Sequence, residues 1–400
     1  MRAAAAILAA CALAAAAAAQ KSVLPPEQLA RVQRGLRDIY SLEHARAIEN
    51  FQAMIREAPE DPAGYAYLGY AYLAQELANK QELSIDRFAA SDFFSEDTRF
   101  KLNVDKAVEA RLREVCGQAA AQARARLAAN PQDQAALFLL GLAYQNLASF
   151  EASLKQSWWS AVRLGSQTFR HHRDLLRRDP ELHDARLSVG VYQYIAGSLG
   201  WSVKWLAFLL GYRGSKQRGK QELQSAVDKA LLVSDDARLV LVLIHIREKN
   251  HQAAFDHLKA LLEKYPQNYL VHLDMGGLAL LRNQPAEAVE IYRAVLRKQE
   301  AGDGKYRELE RAAVFNRLGV AFRAQGEPAE AAGWFRKALA EANASARTST
   351  VARLELGKTL DLLGRRDEAR QYYQVVVAAE DVAGSRREAE ELLRRPSRKK

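Results

Sequence analysis

Eight histidines, His44, His171, His172, His183, His245, His251, His257 and His272, are the side chains best suited to hold a metal or move a proton. A metal site needs such groups clustered at ligand spacing. The closest pair, His171-His172, is adjacent and therefore points to different helix faces. No His-Glu-x-x-His occurs, and these residues read as surface and packing histidines. Nucleophilic chemistry finds no Gly-x-Ser-x-Gly elbow. The glycines near Gly211 and Gly214 lack the Lys-Ser/Thr element that completes a phosphate loop. Glu57, Glu60 and Asp61 surround Pro59 and read as a solvated turn rather than an acid–base pair. The sequence thus predicts no catalytic residue, no metal and no cofactor.

Binding chemistry has better candidates. Tyr67 and Tyr70 stand at helical positions outside the packing set Tyr65, Leu68, Gly69 and Tyr72, which suits them to line a partner-binding groove or to pack on a neighbouring helix. Trp201, Trp205, Phe208 and Leu209 share helical spacing in a segment whose only charge between Val191 and Arg213 is Lys204. Such a stripe either plugs the core or docks a partner or membrane surface. The 26% of charged residues carries a net charge of +10, but Lys and Arg are scattered among acids. That pattern describes solvated helix faces, and no nucleic-acid partner is expected.

The elements that must position these residues are helical repeats. Ala, Leu, Arg and Glu dominate, and no sustained alternation of apolar residues suggests a sheet. One clear period holds Phe315, Leu318, Gly319, Phe322, Gly326, Ala331, Phe335 and Ala338. The next holds Leu356, Gly357, Leu360, Gly364, Ala369 and Tyr373, and the preceding one Met275, Gly276, Ala279, Ala288, Tyr292 and Val295. Earlier periods carry Gly35, Ala47, Phe51 and Pro59; Tyr65 to Tyr72; Leu137, Leu140, Gly141 and Tyr144; Val189, Gly190 and Tyr192; and Ala254, Leu258, Leu261 and Pro266. Small residues such as Gly319 and Ala331 belong where two helices cross, with Phe322 and Phe335 filling the space between units.

This pattern resembles the tetratricopeptide repeat superfamily. The resemblance implies an all-α, right-handed superhelical solenoid of antiparallel helix pairs, seven or eight of them, that binds protein partners in a concave groove without catalysis. Some chaperone-binding relatives grip a terminal carboxylate there with asparagines and lysines. Here those places hold Asp274 with Gly277, Arg317 with Val320, and Glu355 with Lys358, so that clamp is not expected. Gly190–Tyr194, the Leu-rich run to Leu210, Gly211-Tyr212-Arg213-Gly214 and Gly219 resemble the tetratricopeptide repeat 39 / inclusion-body-clearance family over residues 184–230. That family is non-enzymatic, and some eukaryotic members are linked to lipid droplets and aggregate clearance. A proline pair expected there is replaced by Gly200-Trp201-Ser202.

The remaining segments complete the expected layout. Arg2, the apolar run Ala3 to Ala19 and the following Gln20-Lys21 read as a secretory signal, residues 1–19, which places the protein in a bacterial periplasm or envelope. Leu8-Ala9-Ala10-Cys11 also has the form of a lipoprotein box, with Cys11 as the lipidated residue in that alternative. After cleavage only Cys116 remains, so no internal disulfide can form. The expected divisions are N-terminal repeats over 26–180 with an insertion at 79–105, irregular repeats over 181–266 with the apolar segment 195–214, C-terminal repeats with a capping helix over 267–393, and a basic tail over 394–400.

Overall fold

Helix starts in this chain are set by side-chain caps and prolines. Asp105, Asp133, Asn250, Asn268 and Ser345 each accept a hydrogen bond from a backbone N–H two or three residues on. Pro285 and Pro328 occupy first-turn positions, where a missing N–H costs nothing. Gly326, at φ 90°, ends one helix in the left-handed region that a side chain would strain.

The computed structural model describes residues 20–79, 104–198, 214–382 and 384–397. They form seventeen α-helices and no strand. In chain order these are α1 (Pro26–Tyr40), α2 (His44–Glu57), α3 (Pro62–Asn79), α4 (Lys106–Ala129), α5 (Gln134–Phe150), α6 (Trp158–Arg178), α7 (Arg186–Ser198), α8 (Lys216–Lys229) and α9 (Ser234–Arg247). There follow α10 (His251–Lys264), α11 (Tyr269–Leu281), α12 (Pro285–Glu300), α13 (Arg311–Gln325), α14 (Pro328–Ala340), α15 (Ala346–Leu362), α16 (Arg366–Ala378) and α17 (Ser385–Arg394). The signal segment 1–19 with Cys11 lies outside the described residues, as do nearly all of the 79–105 insertion and Trp201–Leu210.

One device recurs in the helix pairs. A glycine on the first helix lets a large side chain of the second lie against its backbone. A β-carbon on Gly319 of α13 would stand 2.6 Å from Phe335 of α14, and one on Gly357 of α15 would stand 2.5 Å from Tyr373 of α16. The same fit joins Gly35 to Phe51 and Gly276 to Tyr292. Three pairs use another partner in the aromatic place: Cys116 against Gly69, His172 against Gly141, and Leu223 against Gly190. Cys116 is thus the core residue its isolation suggested, wholly buried, its thiol pushed up to about 12 by burial. Both longer stretches outside the described residues fall between the two helices of one pair, α3 with α4 and α7 with α8.

The helices gather into two compact units. The first holds Glu43–Glu76 and Asn103–Leu241 together with α1 as far as Ile39; the second is built on Val242–Lys400. In the first, Arg113 of α4 bridges Glu109 and the buried Glu151, and Lys155 reaches Glu109 at 2.8 Å. This network holds α4 to the short π-helical turn Glu151–Lys155, which ends at Gln156 in the left-handed region. In the second, a core of aromatic, Leu, Val and Ala side chains runs from Leu273 to Ala389.

The last helix is fastened by polar atoms. Asp361, its side chain fully buried, accepts both contacts from Arg366 at 3.0 Å, the Tyr373 hydroxyl at 2.9 Å and the Ser397 amide at 2.8 Å. Arg366 in turn donates to the carbonyls of Leu392 and Leu393, the open C-terminal end of α17. Helix α17, Ser385–Arg394, spans the stretch expected to cap the array, and Ser397 in the basic tail is tied back to α15.

Candidate interaction surfaces

Of the eight histidines, His171, His172 and His272 are held in packing contacts. Among the described residues no group of three or more His, Cys, Asp or Glu is placed to hold a metal ion. His172 is buried, stacked on Phe138, its Nε2 at 3.0 Å from the Phe138 carbonyl and its Nδ1 at 2.6 Å from the Ser188 hydroxyl. Burial lowers its pKa to about 4, so the ring is neutral; Nε2–H donates to the carbonyl while Nδ1 accepts from Ser188. His171 stacks instead on Tyr144, on a different face of α6. His272 meets the Tyr306 hydroxyl at 2.8 Å, and burial lowers it also to about 4.

Tyr67 and Tyr70 of α3 both lie near Asp236, at the start of α9. Tyr67 is 3% exposed and stacks on Phe51, with ring centres 5.7 Å apart. Among the described residues its hydroxyl has no hydrogen-bond partner, and its pKa is well raised by burial, then by the Asp184 and Asp236 charges. Tyr70 is half-buried and donates to Asp236 at 2.5 Å. Asp184 accepts from the Leu232 amide at 2.7 Å and the Val233 amide at 3.3 Å, yet burial still raises it to about 6. Tyr67 therefore sits inside the unit; its period-3.6 position was legible, but its burial against Phe51 near Asp184 and Asp236 was not. Trp201 and Trp205 lie outside the described residues.

In the second unit the first-helix face carries a fixed polar ladder. Arg323 of α13 pairs with Glu355 of α15 and donates to the Glu355 carbonyl at 3.1 Å. Lys358 pairs with Glu355 at 2.7 Å and with Glu388 of α17 at 2.5 Å. Burial would raise the Glu355 pKa, but Arg323 and Lys358 outweigh it and hold the carboxylate low. Two cations meet two anions, so this row joins successive helices and offers no net charge. Glu355 and Lys358, the pair at the clamp position, are spent on each other.

One open depression of this unit lies between α12, α13 and α14. It measures about 330 Å³ and is lined by Leu296, Glu300, Arg311, Phe315, Trp334, Lys337, Ala340 and Glu341. Trp334 is fixed from behind by Phe322, parallel to it at 6.2 Å, and from the side by Phe315 at 5.5 Å. The Lys337 ammonium lies 4.0 Å over the Trp334 ring and the Arg311 guanidinium 5.2 Å over Phe315. Arg311 pairs with Glu300 at 2.7 Å. The result is an apolar floor under a rim of both charges, the composition that receives a buried anchor side chain. No sequence motif announces it, because its walls come from two repeats.

No helix among the described residues is long and apolar enough to cross a membrane. Three tetratricopeptide-repeat family models match the chain, over residues 206–269, 245–312 and 351–379. None of them is the tetratricopeptide repeat 39 family that residues 184–230 resemble. No curated protein matches the chain. Among solved structures, human IFIT1, as a dimer with m7Gppp-AAAA, is 13% identical with a TM-score of 0.43, covering 93% of this chain and 86% of that one. Yeast Tom70 is 13% identical with a TM-score of 0.35, covering 92% and 95%. A tetratricopeptide repeat protein from Parabacteroides merdae is 15% identical with a TM-score of 0.31, covering 82% and 99%. The three matches together span residues 206–312 and 351–379, and over these residues the chain carries tetratricopeptide repeats.

Proposed function

We propose that this protein is a non-catalytic scaffold that holds protein partners, and that the Phe315–Trp334 depression receives an apolar anchor side chain from one of them. The repeats support the general role, since tetratricopeptide repeats mediate protein–protein contact. The observation that carries the specific reading is the depression itself: an aromatic floor held rigid from behind, under a rim that pairs Arg311 with Glu300. Anchors of this kind dominate interface energies. We further propose, from the run Ala3 to Ala19, that the scaffold works in a bacterial periplasm or envelope.

The test is co-purification of the tagged chain from its own host, comparing the native sequence with Trp334→Ala and with the surface pair Arg311→Glu/Lys337→Glu. A defined set of proteins lost from both variants, each still folded by circular dichroism, supports the reading. An unchanged set shows that the depression is not the anchor site. Mass spectrometry of the same preparation reports export: a chain beginning at Gln20 supports it, and a chain that still carries Met1 and the whole apolar run contradicts it.

A further inference from the structure

We propose that the exposed face of α6 is a docking surface for an anionic phospholipid bilayer, distinct from the protein-binding depression of the other unit. Four large apolar side chains are exposed among the described residues, and three belong to α6 and its neighbour α7: Trp159 at 88%, Val162 at 41% and Ile195 at 36%. Trp159 and Val162 lie on the first turns of α6. The pairing of His172 with Ser188 and the 3.7 Å stack of Phe169 on Tyr192 run α7 antiparallel to α6. One further turn carries Ile195 of α7 towards the Trp159 end.

The rest of the face is cationic. Arg163, Ser166, Arg170, Arg173 and Arg177 follow Trp159 at alternating steps of four and three, which places all of them on one side of the helix. Among the described residues Arg163, Arg170 and Arg177 make no ion pair, and Arg173 lies over the Phe169 ring at 4.9 Å. Elsewhere in this unit arginines such as Arg113, Arg126 and Arg186 are matched by acids. On α6 the sole acid is Asp174, engaged by Arg178 at 2.7 Å.

This arrangement fits a flat anionic surface. The buried side of α6, with Thr168, Phe169, His172 and Leu175, is packed into the unit, so the helix lies along the surface and does not insert. Its guanidinium row would meet lipid phosphates, to which Arg binds bidentately. The indole of Trp159 with Val162 and Ile195 would enter the interfacial layer. A single-stranded nucleic acid would need aromatic faces interleaved with the cations along its track, whereas here the exposed apolar groups sit at one end.

Sedimentation with vesicles tests it, using the full chain as recovered from its host. Vesicles of phosphatidylcholine with phosphatidylglycerol should bind the chain, vesicles of phosphatidylcholine alone should not, and added salt should weaken the binding. Arg163→Glu/Arg170→Glu/Arg177→Glu should weaken it by at least about tenfold, and Trp159→Ser/Val162→Ser should weaken it without changing its salt dependence. All five positions are exposed, so the variants' melting curves should match the native one. Absence of binding to anionic vesicles overturns the proposal. So does binding that survives both variants, which would move the contact to another segment, and so does tighter binding of a single-stranded oligonucleotide abolished by the same charge reversals.

Discussion

The ring of Phe335 lies against the backbone of Gly319 at the point where α13 and α14 cross, with room for no β-carbon between them. Phe335 is fully buried and cannot swing aside into a packed core. Gly319→Ala is therefore expected to destabilise the protein by about 1–3 kcal/mol, the cost of overpacking exceeding the modest gain in helix propensity. Gly319→Ala/Phe335→Leu should cost less than the sum of its parts, because the smaller side chain relieves the clash. Denaturant unfolding of the three variants checks it; additive losses would show that the two residues do not meet.

Acid and base act in opposite senses on the first unit. His172 falls from 6.5 to about 4 on folding, so the stability it permits is full above 6.5 and is lost as the pH drops towards 4. Asp184 rises from 3.8 to about 6, so its contribution is present at low pH and is lost as the pH climbs through 6. The two largely offset each other. Asp184→Asn, with its amide oxygen still able to accept from Leu232, should raise stability at neutral pH by about 1–3 kcal/mol. It should also steepen the loss of stability between pH 6.5 and 4, to which His272 in the other unit adds in the same sense. Unfolding midpoints measured across that range check both the gain and the slope.

Asp361 is the clasp of the C-terminal end. Asp361→Ala leaves Arg366 and the Tyr373 hydroxyl without their buried acceptor, an expected loss of about 3–5 kcal/mol. Because Arg366 also holds the α17 carbonyls, the damage should begin there. Limited proteolysis should release a fragment starting near Gly384 in the variant and spare it in the native chain.

Trp334 separates ring from donor. Its Nε1 is buried with no acceptor among the described residues, so Trp334→Phe forfeits no hydrogen bond and should change stability by less than about 1 kcal/mol. Trp334→Ala removes the ring between Phe315 and Phe322 and should cost about 3 kcal/mol. Thermal melts of the pair distinguish the two contributions.

The repeat frame was readable where each first-helix glycine faces an aromatic, as in Gly276 with Tyr292 or Gly357 with Tyr373. In the middle of the first unit the aromatic place is taken by Cys116, His172 and Leu223, and two of those pairs are opened by the long segments between their helices. Spacing alone could still mark Gly69, Gly141 and Gly190, but could not say what filled the space opposite. The sites were less legible. Tyr67 has the position of a groove residue but is buried, near Asp184 and Asp236, more than a hundred residues away in sequence. The Trp334 depression depends on α12 and α13 lying beside α14, and the arginine row of α6 was hidden in a net charge spread along the chain.

The most direct test of the scaffold reading is a photo-reactive residue placed at Lys337, on the rim of the depression, with a second chain carrying it at exposed Lys259 as reference. Both are expressed in the native host and irradiated in intact cells. Discrete protein adducts are expected from position 337, absent from position 259 and lost when Trp334→Ala is added. No protein adduct at 337, or the same adducts from both positions, would contradict it.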